Sequence, residues 1–314
     1  MTAPRPRVLV QSRPTIVRRI ADAVPEADVI AIPWEDNLDA DVRGDVLLTM
    51  AWGAPNLAQS LGRGVRWVHV LGTGVDRFPF NLLGDRILTC SRGGSAIPIA
   101  EWVLAVMLAF EKRLPDAWIQ NVPTDEQSRM HLGTLYGRTL GLVGVGGIGT
   151  AVAERARPFG MRIIACRRTP TLAGPPGVEI VDSVATLVAA ADHVVLATPA
   201  TPATRRLFDD RLFAAMKPGA HLVNIARGAL IDQDALRRAL DDGRVARASL
   251  DAVDPEPLPA GHWMYTHPKV RLSPHQSWNM PGAVEILVDA FIANLQRWRA
   301  GEPLEGVVDR AEGY

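Results

Sequence analysis

Residues 140–160 read LGLVGVGGIGTAVAERARPFG. The run opens on apolar, strand-like residues (Leu140, Leu142, Val143) and enters glycines spaced GxGxxG at Gly144, Gly146 and Gly149. Past Gly149 the apolar spacing becomes helical, through Ala151, Val152, Ala156 and Phe159. A strand, a glycine turn and a helix in that order form the setting in which this spacing binds a dinucleotide. Gly144 permits the tight turn. Gly146, lacking a Cβ, lets the backbone approach a pyrophosphate, and Gly149 lets the helix pack close to the strand. Gly147 and Ile148 lie in the same phosphate-facing turn, where N–H groups at the helix start, backed by the helix dipole, favour negative charge.

Working outward, short apolar runs precede this stretch at 7–10, 28–32, 45–49, 67–71 and 87–90. A second series starts with it, at 139–144, 161–166, 193–198, 221–226, 247–252 and 270–273. Strands alternating with helical segments predict parallel pairing with helices on both faces. Between the two series, Ile97–Leu114 reads as one long amphipathic helix, and 121–138 is polar and irregular. A last helix, Pro281–Arg299, carries Ile286, Leu287, Phe291, Leu295 and Trp298 and is expected to pack back on the first series. The fold class is therefore α/β, with two doubly wound parallel-sheet domains and a cleft between them. A Rossmann cofactor domain, 98–281, is inserted in a smaller flavodoxin-like substrate domain formed by 1–97 plus 282–314.

A chain of 314 residues is long enough for two such cores. Apolar residues make up 47% and charged residues 22%, an ordinary globular balance. Lys plus Arg equals Asp plus Glu at 34 each, so no global field points to nucleic acid or an anionic membrane. No apolar run is long enough to span a bilayer, and the N-terminus enters a strand-like run without a signal-peptide core. Two distant cysteines, Cys90 and Cys166, suggest a reducing compartment, with the cytoplasm as the expectation. With no HExxH or CxxC and scattered histidines, no metal site is expected.

In NAD-binding versions of the fold, an acidic residue about 20 positions past the glycines accepts the ribose hydroxyls. Here Arg167, Arg168 and Thr169 follow the strand, and Arg167 stands 18 residues after Gly149. A guanidinium there grips a 2′-phosphate but gives a 2′-hydroxyl no acceptor, so NADP is expected over NAD, with NAD possible. Three further stretches stand at predicted strand ends: NIARG (224–228), DPEPLP (254–259) and SPH (273–275). Ligands of open α/β sheets bind outside the carboxyl ends of strands, so Arg227, Glu256 and His275 can converge. Hydride transfer between a nicotinamide and a carbonyl carbon needs a proton donor on the oxygen, which imidazole supplies near neutral pH. A carboxylate beside that imidazole favours its charged form and orients it. An arginine clamps a neighbouring substrate carboxylate and polarises the carbonyl.

Together, LGTGVD (71–76), AEWVLAVMLA (100–109), GLVGVGGIG, Thr198–Pro199, NIARGALID (224–232), LDAVDPEPLP (250–259) and SPH resemble the D-isomer-specific 2-hydroxyacid dehydrogenase family over nearly the whole chain. The resemblance implies Arg227 as ligand of the substrate carboxylate and carbonyl. It implies Glu256 as partner of His275, and His275 as the general acid in reduction and base in oxidation. Asp251 would take the nicotinamide carboxamide, with Thr198, Pro199 and Ala226 lining the cofactor channel. Backbone amides at Thr73 and Gly74 would hold the substrate carboxylate, as a glycine turn can. Trp52 sits where glyoxylate/hydroxypyruvate reductase-like members place substrate-wall residues, and an indole there would narrow the pocket.

The expected substrate is thus a small 2-oxoacid of the glyoxylate or hydroxypyruvate class, reduced with NADPH to a D-2-hydroxyacid. A nucleotide-sensing protein without turnover and a phosphite-type dehydrogenase are the alternatives. GHWMY (261–265) and QSWNM (276–280) depart from the commoner family pattern and leave the substrate open. His262 and His267 read as loop residues, and His69 and His193 as packing residues. The apolar character of Ile97–Leu114 hints at a partner subunit, which the resemblance makes a homodimer.

Overall fold

A computed structural model describes residues 5–169 and 173–314. The chain divides into two compact units, one running to Ser95 and resuming over Met280–Tyr314, the other spanning Ala96–Asn279. The first unit holds β1 (Arg7–Val10), β2 (Asp28–Ala31), β3 (Val46–Met50), β4 (Trp67–Leu71) and β5 (Ile87–Cys90). They form one parallel sheet in the order β2-β1-β3-β4-β5, the flavodoxin-like order. Central strands covered on both faces must be apolar throughout rather than alternating, which is why β3 reads VLLTM and β4 WVHVL. One face packs against the helices Pro14–Ala23 and Ala283–Ala300 through Ile16, Ile20, Leu287, Val288, Phe291 and Leu295. Trp67 is fully buried there, 5.5 Å from both Phe291 and Trp298, and a buried side chain of that size contributes on the order of 2–3 kcal/mol. The opposite face is closed by Leu57 and Leu61 of a short helix, with Val75 and Phe78.

The second unit holds β6 (Thr139–Val143), β7 (Arg162–Cys166), β8 (Glu179–Ile180), β9 (His193–Leu196), β10 (Ala220–Asn224), β11 (Val245–Leu250) and β12 (Val270–Leu272). The parallel order is β12-β11-β10-β9-β6-β7-β8. Strand order therefore reverses between β6 and β9, and the glycine turn leaves β6 at that switch point. Both units are thus doubly wound parallel α/β sheets, the second with the Rossmann order. The six expected strands are present, and β8 is a seventh that the sequence pattern does not announce.

The long helix runs Ala96–Glu111, ending three residues before the expected Leu114. It buries one face at i, i+3/i+4 spacing (Ala96, Ile99, Ala100, Val103, Leu104, Met107). Trp102 and Val106 are half-buried against the same core, and the exposed positions are Ile97, Glu101 and Ala105, so apolar residues surround most of the helix. Residues 121–138 are irregular apart from a single turn, Asp125–Ser128, held by a Thr124–Gln127 capping box. Among the described residues, no helix is long and apolar enough to cross a membrane, and no cluster of His, Cys, Asp and Glu could hold a metal ion.

Candidate active site

The glycine turn is built as close packing demands. Gly144 has φ +101, and a Cβ there would lie 2.6 Å from the Ala197 carbonyl oxygen and 3.0 Å from Thr198 N. Only glycine lets the turn after β6 press against the segment Ala197–Thr198–Pro199 that follows β9. A Cβ on Gly149 would meet the Gly144 carbonyl oxygen at 2.4 Å, so the helix Gly147–Ala156 could not start so close to the strand. At Gly146 a Cβ would touch nothing in the protein, and Gly146 and Gly147 are exposed. The first-turn N–H groups of that helix have no intrahelical acceptor, so they face outward as donors for an anion. This is a cradle that fits a dinucleotide pyrophosphate.

Beyond the end of β7, Arg167 is half-buried and donates from Nη1 to the Ala173 carbonyl at 3.1 Å, while Arg168 and Thr169 are exposed. Burial, and next the nearby Asp182 carboxylate, push the Cys166 thiol up from its ordinary value. Thr198 and Pro199 are half-buried, and the Pro199 carbonyl accepts the Thr204 hydroxyl at 2.7 Å.

The loops after β10, β11 and β12 leave one edge of the sheet side by side. Asn224, fully buried at the end of β10, ties two of them together. Its amide donates to the carbonyls of Arg227 (2.9 Å) and Ala252 (3.3 Å), and its Oδ1 accepts Ala226 N at 3.1 Å. Next to it, a Cβ on Gly228 would fall 1.9 Å from the carbonyl carbon of Val253. The turn carrying Arg227 is therefore in backbone contact with the loop that leads to Glu256. The guanidinium of Arg227 donates to the Ala226 carbonyl at 2.7 Å.

Glu256 and His275, nineteen residues apart, meet: Oε1 lies 2.8 Å from Nδ1. That contact occupies Nδ1 and directs the other ring nitrogen, Nε2, away from the carboxylate; the imidazole is 37% exposed and can reach a ligand. Asp251 is 1% exposed, and its carboxylate is used from within: Oδ1 accepts Ser273 Oγ (2.5 Å) and Gln276 N (3.0 Å), and Oδ2 accepts Ser277 N (3.0 Å). Three of a carboxylate's roughly four acceptor positions are thus filled by the turn that carries His275.

Trp52 and the Thr73–Gly74 pair lie in the first unit, beyond the carboxyl ends of β3 and β4. Trp52 is 55% exposed and meets Trp34 edge to face at 6.5 Å. The Thr73 hydroxyl donates to the Ser91 carbonyl at 3.4 Å, and the preceding Gly72 has φ +112. The sequence places Asn224 and Gly228 within NIARG without assigning them these contacts, and it does not single out Trp34; a polar residue closing an apolar strand is the signal for the first.

Residues 104–277 match the family model described as D-isomer specific 2-hydroxyacid dehydrogenase, NAD binding domain. The chain belongs to this family. Glyoxylate/hydroxypyruvate reductase A of Serratia proteamaculans is 29% identical over 311 residues, covering 94% of each chain. D-3-phosphoglycerate dehydrogenase of Methanocaldococcus jannaschii is 34% identical over 243 residues, which are 76% of this chain and 46% of that protein, so the chain spans about half the length of that relative. Among solved structures, a D-isomer specific 2-hydroxyacid dehydrogenase from Xanthobacter autotrophicus Py2, in complex with NADPH and MES, has a TM-score of 0.82 at 26% identity, covering 99% of this chain and all of that one. The family is one of nicotinamide-dependent oxidoreductases, and the glycine turn lies within the segment that matches its NAD binding domain.

Proposed function

We propose that the chain reduces small 2-oxoacids of the glyoxylate/hydroxypyruvate class to D-2-hydroxyacids, using NADPH in preference to NADH. The observation that carries this reading is the His275–Glu256 contact of 2.8 Å at the carboxyl edge of the sheet that bears the glycine cradle. The nicotinamide, when bound, supplies the hydride. His275 holds the proton to be delivered on Nε2, while Glu256 at Nδ1 orients the ring and balances its charge. Arg227 binds the substrate carboxylate and polarises the carbonyl, held in place by the Asn224 amide and the close Gly228 contact. Arg167 takes the 2′-phosphate. Arg168 and Thr169 extend that edge, and Thr198, Pro199 and Ala226 line the nicotinamide channel.

In the first unit, the Thr73 and Gly74 amides are suited to bind a carboxylate, and Trp52 to exclude bulky side chains. The Serratia relative, a glyoxylate/hydroxypyruvate reductase matched over nearly its whole length, supports the substrate class. A homodimer is proposed on the exposed apolar side chains Ile97, Trp118 (70% exposed) and Val122 (90%), area that a second copy would cover. Two free cysteines fit a reducing compartment, and we place the chain in the cytoplasm.

The test is loss of NADPH absorbance against a panel of 2-oxoacids, with NADH in parallel. Turnover of glyoxylate or hydroxypyruvate with higher kcat/KM for NADPH is expected. Binding of NADPH without any turnover would make the chain a nucleotide sensor. Reduction of NADP+ by phosphite alone would make it a phosphite dehydrogenase.

A further inference from the structure

His275 has φ +50, in the left-handed region that a residue with a Cβ seldom adopts. Such a backbone costs on the order of 1 kcal/mol or more and persists only where its surroundings over-determine it. Here the restraints can be enumerated. The backbone N–H of His275 reaches the carbonyls of Asp251 and Ser273, each at 3.0 Å. The next two N–H groups, of Gln276 and Ser277, are held by the buried Asp251 carboxylate. On the other side, the carbonyl of His275 accepts a hydrogen bond from the indole Nε1 of Trp278 at 3.0 Å. Trp278 is half-buried, its ring packed against the apolar cluster between the helices Ala96–Glu111 and Gly147–Ala156 and the sheet.

We propose that Trp278 is a positioning residue for the acid/base step: its indole N–H fixes the peptide plane that follows His275, and so aims the imidazole at Glu256. The inference rests on the reading of His275 as the proton donor. The geometry is a lever with a rigid base. The indole is half-buried against the packed interior of the unit, and its single donor reaches the carbonyl oxygen of His275. Without that donor the peptide keeps only the bond from Gln276 N–H to the Asp251 carboxylate, and its added freedom to rotate swings the Cα–Cβ bond and with it the 2.8 Å contact to Glu256. The Asp251 carbonyl holds the N-terminal side of the turn, and the peptide that follows His275 is held at two points, its N–H by the Asp251 carboxylate and its carbonyl by Trp278.

Trp278→Phe keeps an aromatic ring in the apolar cluster and removes the N–H. Loss of one such bond from the catalytic turn predicts a fall in kcat of about tenfold, with KM for NADPH and for the 2-oxoacid within about twofold of wild type. The alkaline limb of the kcat–pH profile for 2-oxoacid reduction should move to lower pH in Trp278→Phe, because the imidazole–carboxylate contact that favours the protonated ring is loosened. Trp278→His is smaller than Phe but restores a ring N–H. If the donor matters, activity should run Trp, His, Phe; if the ring only fills space, Phe should exceed His.

The decisive measurement is Trp278→Phe in a Glu256→Gln background, where the loss should shrink well below tenfold, since the contact being aimed is already impaired. Unchanged kcat in Trp278→Phe, the order Trp, Phe, His, or an equal fold-loss in both backgrounds would each overturn the proposal. Should either single variant unfold, the other still decides by its activity relative to its own thermal midpoint. Near-wild-type turnover by His275→Gln is a separate outcome, which would remove the proton-donor reading itself.

Discussion

Acid should destabilise each unit through one buried imidazole. His69, in β4, is fully buried, and desolvation lowers its pKa from 6.5 to about 3. Nδ1 lies 2.7 Å from Thr89 Oγ1 and Nε2 lies 3.1 Å from Ser91 Oγ, so one ring nitrogen can donate and the other accept, as only a neutral imidazole does. In the unfolded chain the same ring titrates near 6.5. The folded pKa is the lower one, so the native state binds fewer protons. Its contribution is complete above pH 6.5 and is lost as pH falls toward 3, at up to about 1.4 kcal/mol per unit. At pH 5 the loss amounts to about 2 kcal/mol, a large part of the ~5–15 kcal/mol that holds a domain folded.

His221, in β10 of the other unit, is pushed well below its usual value by burial, and further by the neighbouring His193 and Arg247. It adds a loss of the same sign. The carboxylate Asp192, held below 3.8 mainly by Lys217 and the Thr139 N–H against the cost of burial, acts only at lower pH, and the raised thiols Cys90 and Cys166 only above 9. The interval from pH 7.5 to 5 therefore belongs to the histidines. Urea unfolding at pH 7.5, 6 and 5 measures it, on wild type and on His69→Gln, whose amide can serve the same hydroxyls without titrating. The variant should lose about 2 kcal/mol less than wild type across that interval. Wild-type stability that is flat from 7.5 to 5, or a variant that falls in parallel with wild type, would refute the reasoning.

Arg167→Asp should move the kcat/KM ratio toward NADH by about tenfold or more, since a carboxylate repels the 2′-phosphate and accepts the ribose hydroxyl; steady-state kinetics with both nucleotides reads it. His275→Gln should lower kcat by about 10²–10⁴-fold with NADPH binding retained, measured by turnover beside nucleotide fluorescence. Gly228→Ala drives a methyl into the Val253 peptide, 1.9 Å away, and should cost about 1–3 kcal/mol of stability and at least about tenfold in kcat/KM. Gly146→Ala meets no protein atom, so its thermal midpoint should stay near wild type while KM for NADPH rises.

The apolar strands were legible because a parallel strand covered on both faces advertises its place locally: β3, β4, β9 and β10 need no distant partner to be apolar. Strand β8 was not legible. It is two residues long, one of them Glu179, and is set by pairing with Ile164 and by the Arg162–Glu179 ion pair, both supplied from another strand. The same division runs through the polar residues. Glu256 and His275 could be placed at one edge because strand-end loops of a parallel sheet share a side, a rule of topology. Asp251 stands at an equally suggestive strand end, and no local pattern announces that its carboxylate accepts from Ser273, Gln276 and Ser277.

His193 reads as packing and is indeed fully buried, but it is also bonded to Glu111, 82 residues away, and to His221, which continues to Ser249. Trp278 likewise reads only as part of QSWNM, a departure from the family pattern, whereas its N–H is bonded to the backbone of His275. An apolar side chain is satisfied by any apolar neighbour, so its spacing along the chain is enough to predict its fate. A buried donor or acceptor is satisfied only by one particular partner at hydrogen-bond distance, and that partner is chosen by the tertiary fold. Turns at strand ends are made mostly of such groups, which is why the Glu256–His275 meeting was readable from topology while the bonds that hold it were not.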